Sequence, residues 1–120
     1  MMLGVIGGLG VTVTGLAVWR IVEAAAEGRL DRNSEMGIRT VRTRRSDEAW
    51  VTGHQKARPL ARIIFGYCVL MGLALTGSGV RDGEAASFVT GVLFAMAYMG
   101  ATGGLLGMAF LANKGARSSD

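Results

Sequence analysis

The sequence has little of what a metal centre or an ordinary soluble domain requires. A single cysteine, Cys68, excludes an internal disulfide framework and a cysteine-based zinc site within one chain. A single histidine, His54, likewise excludes a multi-histidine metal centre within one chain. Only 18% of the 120 residues are charged, against about 25% in an average soluble domain, while half are hydrophobic. We therefore expect no metal and no cofactor, and we exclude an ordinary soluble globule.

Three long uncharged blocks predict an all-α integral membrane protein with three transmembrane helices, because about 20 apolar residues span a hydrocarbon core roughly 30 Å thick. We place the spans at about 2–20, 62–80 and 85–113, within a single membrane domain of residues 1–120. The loop 21–61 joins the first two. A cleaved signal peptide is the alternative for the first block, but no Lys or Arg precedes it, so we interpret it as a retained anchor.

The basic residues predict the orientation, since Lys and Arg in short loops tend to stay in the cytoplasm. The loop 21–61 holds eight of them, the segment between spans two and three holds only Arg81, and the C-terminal tail adds Lys114 and Arg117. We therefore expect the N-terminus outside, the basic loop inside and the C-terminus in the cytoplasm.

The spans contain glycine pairs four residues apart, such as Gly4 and Gly8, Gly100 and Gly104, and Gly103 and Gly107. This spacing lets a second helix approach closely. We favour packing among the chain's own helices, with a homo-oligomer or a larger membrane protein as the alternative partner. No Asp, Glu, Lys or Arg lies in the middle of a span, which disfavours a pump or a proton-coupled transporter.

A short amphipathic helix is predicted in the cytoplasmic loop from Asp47 to about Ala57. Ser46 is suited to be its N-cap, and acidic residues follow in the first turn. Helical spacing places Trp50 and His54 on one face, so this helix should lie at the membrane interface. Pro59 marks a break, or the first turn of the next helix.

The basic residues of the loop suggest lipid contact. The simpler interpretation is a positively charged anchor, in which Arg42, Arg44 and Arg45 attract anionic lipid headgroups. The alternative is a specific anion clamped by Arg39 with nearby threonine hydroxyls and backbone N–H groups. We expect Arg39 to make fixed polar contacts within the loop. We expect no nucleic-acid partner, because the basic cluster adjoins the bilayer and offers no reading helix.

No constellation of nucleophile and base accompanies His54, so we expect a packing and hydrogen-bonding role. Catalytic residues are predicted to be absent and the protein is expected not to be an enzyme. The remaining alternative is an enzyme that acts on a lipid headgroup through His54 and Arg39.

The loop contains nine residues at fixed spacing that form a recognisable motif, namely Asn33, Gly37, Ile38, Arg39, Thr40, Thr43, Ser46, Trp50 and His54. This run resembles the signature of the SdpI family of bacterial membrane proteins. That signature reads approximately Asn, an aromatic, Gly-Ile-Arg-Thr, then Thr, Ser, Trp and His at similar spacing. Met36 stands where an aromatic is common, and Val41-Arg42 replaces the usual Pro-aromatic pair.

The resemblance implies a multi-pass protein of the bacterial inner membrane. It further implies a role in immunity to a secreted toxic peptide, or in signalling by holding a repressor at the membrane. A second hypothesis of another class is a small accessory subunit packed against a larger membrane enzyme or transporter. This hypothesis is motivated by the glycine-rich helices and by the lack of a catalytic set of residues in the chain itself.

Overall fold

The computed structural model describes residues 1–33, 36–40 and 42–118, so Val41 of the signature lies outside the described residues. Three long helices dominate: α1 (Met2–Ala26), α2 (Asp47–Asp82) and α3 (Phe88–Ser118). A single 3-10 turn (Thr43–Arg45) precedes α2, and the described residues contain no strand. All three helices are long and apolar enough to cross a membrane. The molecule is accordingly a narrow bundle, 54 Å long.

Small residues bring α1 and α2 close together at several points of their seam, and the rings of Trp19 and Phe65 also stack across it. A Cβ atom at Gly4 would lie 2.5 Å from the Cα atom of Gly79, and one at Gly8 would lie 2.6 Å from the carbonyl oxygen of Gly72. Further along, a Cβ at Gly15 would lie 2.4 Å from the Cβ of Cys68. Gly4 and Gly8 therefore pack within the chain, as their spacing predicted, and any larger residue would push the two helices apart.

The seam between α2 and α3 sets larger side chains on α2 against glycines on α3. Tyr67 lies over Gly100, where its hydroxyl also donates to the carbonyl of Met96. One turn further along α3, Ile64 lies over Gly104. In the pair Gly103 and Gly107, Gly103 does not pack against another helix, because no atom lies within 4 Å of a Cβ built there.

The helix that begins at Asp47 does not end before the second span. Helix α2 runs without a break from Asp47 to Asp82 and contains Pro59 in its interior. The separate short amphipathic helix is therefore not observed, since its residues are the first turns of α2. Proline removes one backbone N–H, which leaves the carbonyl of Gln55 without its helical donor. Both Gln55 and Pro59 are exposed, so water can solvate that carbonyl.

The ends of α1 and α2 nearest the basic loop are joined by ion pairs. The Glu23 carboxylate lies 2.9 Å from the Nε atom of Arg62 and 3.2 Å from that of Arg58. The Glu23 side chain is only 13% exposed, so these contacts are partly shielded from solvent. They fix the last turns of α1, which extend beyond the predicted end of the first span.

At the opposite end, a polar cap closes the turn between α2 and α3. The Asp82 carboxylate accepts hydrogen bonds from the backbone N–H of Ser87 (2.9 Å) and from the hydroxyl of Thr90. Thr90 is fully buried and also contacts the hydroxyl of Ser78 at 2.5 Å. The only short connection between two long helices is thus held by side-chain hydrogen bonds among described residues.

Candidate functional site: the basic loop

The connection between α1 and α2, residues 27–46, is called here the basic loop. It begins with a turn at Gly28, whose φ of 79° requires a left-handed backbone conformation that glycine adopts readily. The backbone N–H groups of Gly28 and Arg29 donate to the carbonyls of Ala25 and Ala24, which closes the end of α1. The chain then folds back over the first turns of α2.

Trp50 anchors the returning chain. Its ring is 1% exposed, and its indole Nε1–H donates a 2.8 Å hydrogen bond to the carbonyl of Leu30. The ring also packs beside the imidazole of His54, with 4.3 Å between the centroids. Trp50 and His54 do not form the exposed apolar face that an interfacial helix would present, because the basic loop covers both side chains.

His54 is the hydrogen-bonding centre of the site. It is fully buried, and its Nε2 accepts from the backbone N–H of Ile38 at 2.9 Å. Nε2 must therefore be unprotonated, which leaves Nδ1–H to donate to the carbonyl of Trp50 at 2.8 Å. The imidazole is neutral in this arrangement, with both nitrogens occupied.

The charge state of His54 follows from its surroundings. His54 precedes the predicted second span, and Lys56, Arg58 and Arg62 follow it on α2, so we expect this turn outside the hydrocarbon region. Burial lowers the pKa of the His54 imidazole, while its hydrogen bond to the carbonyl of Trp50 acts weakly in the opposite direction. Desolvation therefore agrees with the hydrogen-bond geometry in favouring the neutral ring.

Gly37 permits the chain to cross the two rings. Its φ is 97°, and a Cβ atom there would lie 2.7 Å from Cη2 of Trp50 and 3.2 Å from Nε2 of His54. Glycine is thus required twice, for its backbone conformation and for the space it leaves. This explains in physical terms why Gly37 directly precedes the residue that binds His54.

Two threonines hold the next turn of the loop. Thr43 is fully buried; its hydroxyl donates to the carbonyl of Ile38 (2.7 Å) and accepts from the backbone N–H of Thr40 (3.0 Å). The Thr40 hydroxyl accepts from the N–H of Thr43 (3.2 Å) and donates to Oδ1 of Asn113 (3.0 Å). These bonds close the turn and attach it to α3.

Ser46 ends the basic loop and begins α2. Its hydroxyl accepts a 3.0 Å hydrogen bond from the backbone N–H of Ala49, so it is the predicted N-cap. Asp47 follows in the first turn and pairs with Arg32 at 2.9 Å, which ties the start of the loop to its end.

The structure brings together six of the nine signature residues around His54 and the turn that follows Gly37. The six are Gly37, Ile38, Thr40, Thr43, Trp50 and His54. Arg39 and Asn33 are exposed, and the side chain of Arg39 makes no hydrogen bond or ion pair with a described residue. The expected fixed contacts of Arg39 are thus not found there. Nor are the threonine hydroxyls left to assist it in clamping an anion, because the loop itself uses them.

Sequence reasoning missed two residues that complete the site. Asn113 lies 73 positions from Thr40, and only the return of α3 brings the two side chains together. Gly53 lets α2 meet both the loop and α3: a Cβ there would lie 2.6 Å from the carbonyl oxygen of Ala112 and 3.0 Å from Cγ2 of Thr43. The sequence signal available for Gly53 was that it directly precedes His54, a predicted site residue.

With this geometry established, comparison with known proteins identifies the family. The family model described as the SdpI/YfhL protein family matches residues 29–112, more than two thirds of the chain. The chain belongs to the SdpI/YfhL protein family. The match covers most of the basic loop, all of α2 and most of α3, which are the three parts that meet around Thr43. No curated protein and no solved structure matches the chain.

Proposed function

We propose that this SdpI/YfhL protein is a non-enzymatic integral membrane protein that gives immunity to a toxic peptide, or transmits a signal, through its basic loop. We place that loop and the C-terminus in the cytoplasm of a bacterial cell, as the distribution of Lys and Arg indicates. The observation that carries the proposal is that the family signature forms a fixed loop whose polar groups are directed mainly at one another.

The hydrogen bonding of the signature supports a binding role over catalysis. Both nitrogens of His54 are bonded to backbone groups, so the imidazole has no free position from which to move a substrate proton. The Thr43 hydroxyl is similarly committed to Ile38 and Thr40. A general base has to reach its substrate, and a buried ring with both nitrogens engaged does not.

What the fixed loop presents outward is a set of exposed side chains. Asn33 and Arg39, which precede and follow Gly37 in the sequence, are exposed, and Arg44 is exposed on the 3-10 turn. A rigid backbone lowers the entropic cost of binding, because the exposed groups need little further ordering. We therefore propose that these exposed residues recognise the partner and that the buried residues determine the shape of the loop.

A peptide-sensitivity assay tests the proposal. Deletion of the gene is expected to sensitise cells to at least one secreted peptide of a panel, and the wild-type gene should restore resistance. Arg39→Ala should fail to restore it at an unchanged amount of membrane protein, whereas Arg117→Ala, at the end of α3, should succeed. Unchanged sensitivity of the deletion strain to every peptide would contradict the immunity role.

A second candidate, an accessory subunit of a larger membrane complex, is favoured by the outward face of α2. Apolar residues alternate there at spacings of three and four, the pattern of a helix–helix seam. A Cβ atom at Gly66 or Gly77 would meet no atom within 4 Å. The large side chains on this face are between 57% and 68% exposed, namely Ile63, Leu70, Leu73 and Val80.

Gentle purification from native membranes followed by mass spectrometry distinguishes the two candidates. A membrane protein recovered in stoichiometric amount would support the accessory role and make the basic loop a docking surface. Recovery of the chain alone, or as a homo-oligomer, would support the immunity or signalling role.

A further inference from the structure

We propose that a groove between the basic loop and α3 binds the phosphate group of an anionic phospholipid. The groove has a volume of about 840 Å³ and is lined by Thr40, Arg42, Arg45, Ala109, Phe110 and Asn113. No acidic side chain of the described residues lines it. This inference is independent of the immunity role, since it concerns what the protein binds in the bilayer.

Arg42 supplies the charge that selects an anion. It is half-buried between the loop and α3, and its guanidinium makes no hydrogen bond or ion pair with a described residue. A guanidinium can donate two parallel hydrogen bonds to a phosphate, an arrangement stronger than bonds between neutral groups. Arg45 lines the same groove. The groove is therefore electrostatically complementary to a phosphate.

Asn113 supplies a neutral donor on the opposite wall. Its Oδ1 accepts from the Thr40 hydroxyl at 3.0 Å, which fixes the orientation of the amide. Among the described residues no acceptor pairs with the amide nitrogen, so its N–H groups can bind a ligand in the groove. The bond between Thr40 and Asn113 thus also joins the two walls of the proposed site.

The apolar surface below the groove argues for a lipid over a free anion. Phe110 lines the groove and is 69% exposed, and Leu106, one turn away on α3, is exposed to the same extent. The uncovered face continues along α3 through Gly103 and Met99. Lys114 follows Asn113, where the predicted third span ends. A diacyl lipid would therefore place its phosphate beside Arg42 and its chains along α3.

Lipid titration of the full-length protein in zwitterionic detergent tests the site, with bound lipid counted by native mass spectrometry. Phosphatidylglycerol should bind at least about fivefold more tightly than phosphatidylcholine with the same acyl chains, the factor expected for one basic residue near an anionic headgroup. Arg42→Gln should remove this preference. Arg44→Gln, two residues away and outside the groove, should leave it unchanged within about twofold. Equal losses in the two variants would overturn the site in favour of diffuse attraction by the whole loop.

Two further measurements leave the sequence of the basic loop unaltered. The first identifies the source of the phosphate, and the second tests the path of the acyl chains. Inorganic phosphate at millimolar concentration should not displace phosphatidylglycerol, and displacement would show a site for a free anion. Phe110→Ala should weaken binding of both lipids, whereas Phe88→Ala, at the other end of α3, should not. Unchanged binding in Phe110→Ala would overturn the proposed path of the acyl chains, whether or not the Arg42→Gln protein is recovered.

Discussion

The backbone N–H of Ile38 donates a 2.9 Å hydrogen bond to Nε2 of His54, sixteen residues further along the chain. This bond holds the centre of the family signature against α2 and fixes the tautomer of the ring. Because the acceptor must be an unprotonated nitrogen, the fold of the basic loop depends on a neutral histidine.

Acid should therefore destabilise the protein through His54. Its folded-state pKa is below the usual value of about 6.5, so the unfolded chain takes up the proton first as the pH falls. The stabilisation is present above pH 6.5 or so and is lost progressively below it. Thermal unfolding in detergent between pH 8 and pH 5 should show this loss.

His54→Gln is the control for the acid effect, because its side chain carries a donor and an acceptor but does not titrate. This variant should be less stable than wild type at pH 8 and should lose less stability on acidification. An equal slope in the two proteins would place the sensitivity to acid elsewhere.

Gly37→Ala should destabilise the loop by two separate effects. Alanine at a φ of 97° is strained by about 1–2 kcal/mol, and its Cβ would collide with the ring of Trp50 at 2.7 Å. Gly28→Ala is the matched control, since its φ is 79° but no atom lies within 4 Å of the added Cβ. The unfolding midpoint should fall clearly further for Gly37→Ala, and equal falls would contradict the contact with Trp50.

Thr43→Val should cost about 1–3 kcal/mol, the usual loss when buried polar groups are left without a partner. The backbone N–H of Thr40 and the carbonyl of Ile38 both lose the hydroxyl to which they are bonded. Thr52→Val, on α2, is the control because its hydroxyl has no hydrogen-bond partner among the described residues. Equal stability of the two variants in a denaturant titration would refute the role assigned to Thr43.

Gly8→Ala should weaken the packing of α1 on α2. The new methyl group would lie 2.3 Å from Oγ1 of Thr76 and 2.6 Å from the carbonyl oxygen of Gly72, so the helices must separate. Gly77→Ala, on the uncovered face of α2, meets nothing within 4 Å and should cause no loss. Their thermal stabilities in the same detergent provide the comparison.

The sequence predicted the features that depend on local pattern. Uninterrupted apolar length predicted the three long helices, and the spacing of Gly4 and Gly8 predicted close packing. Ser46 was recognised as an N-cap because the two acidic residues that follow it are typical of a first helical turn. Each of these signals lies within one helix or one turn, where residues that are close in sequence are also close in space.

The features that depend on tertiary contacts were missed or misplaced. Trp50 and His54 were placed on the exposed face of an interfacial helix, because the segment that covers them lies before this helix in the chain and one helix considered alone does not reveal it. Arg39 was expected to make fixed polar contacts within the loop. The threonine hydroxyls and the His54 ring form the hydrogen bonds to the loop's polar groups instead. Pro59 suggested either a break or the first turn of the next helix, yet α2 is continuous through it, with ion pairs to α1 from Arg58 and Arg62 on either side.

The state of His54 provides the most direct test, and the chain has only one histidine, so no assignment is needed. Protein labelled with ¹⁵N-histidine should show, in a long-range ¹H–¹⁵N spectrum at pH 7.5, a protonated Nδ1 and an unprotonated, hydrogen-bonded Nε2. Gly37→Ala should weaken the hydrogen-bond signature at Nε2. A doubly protonated ring, or a proton on Nε2, would contradict the bond from Ile38 and with it the account of how the family signature folds.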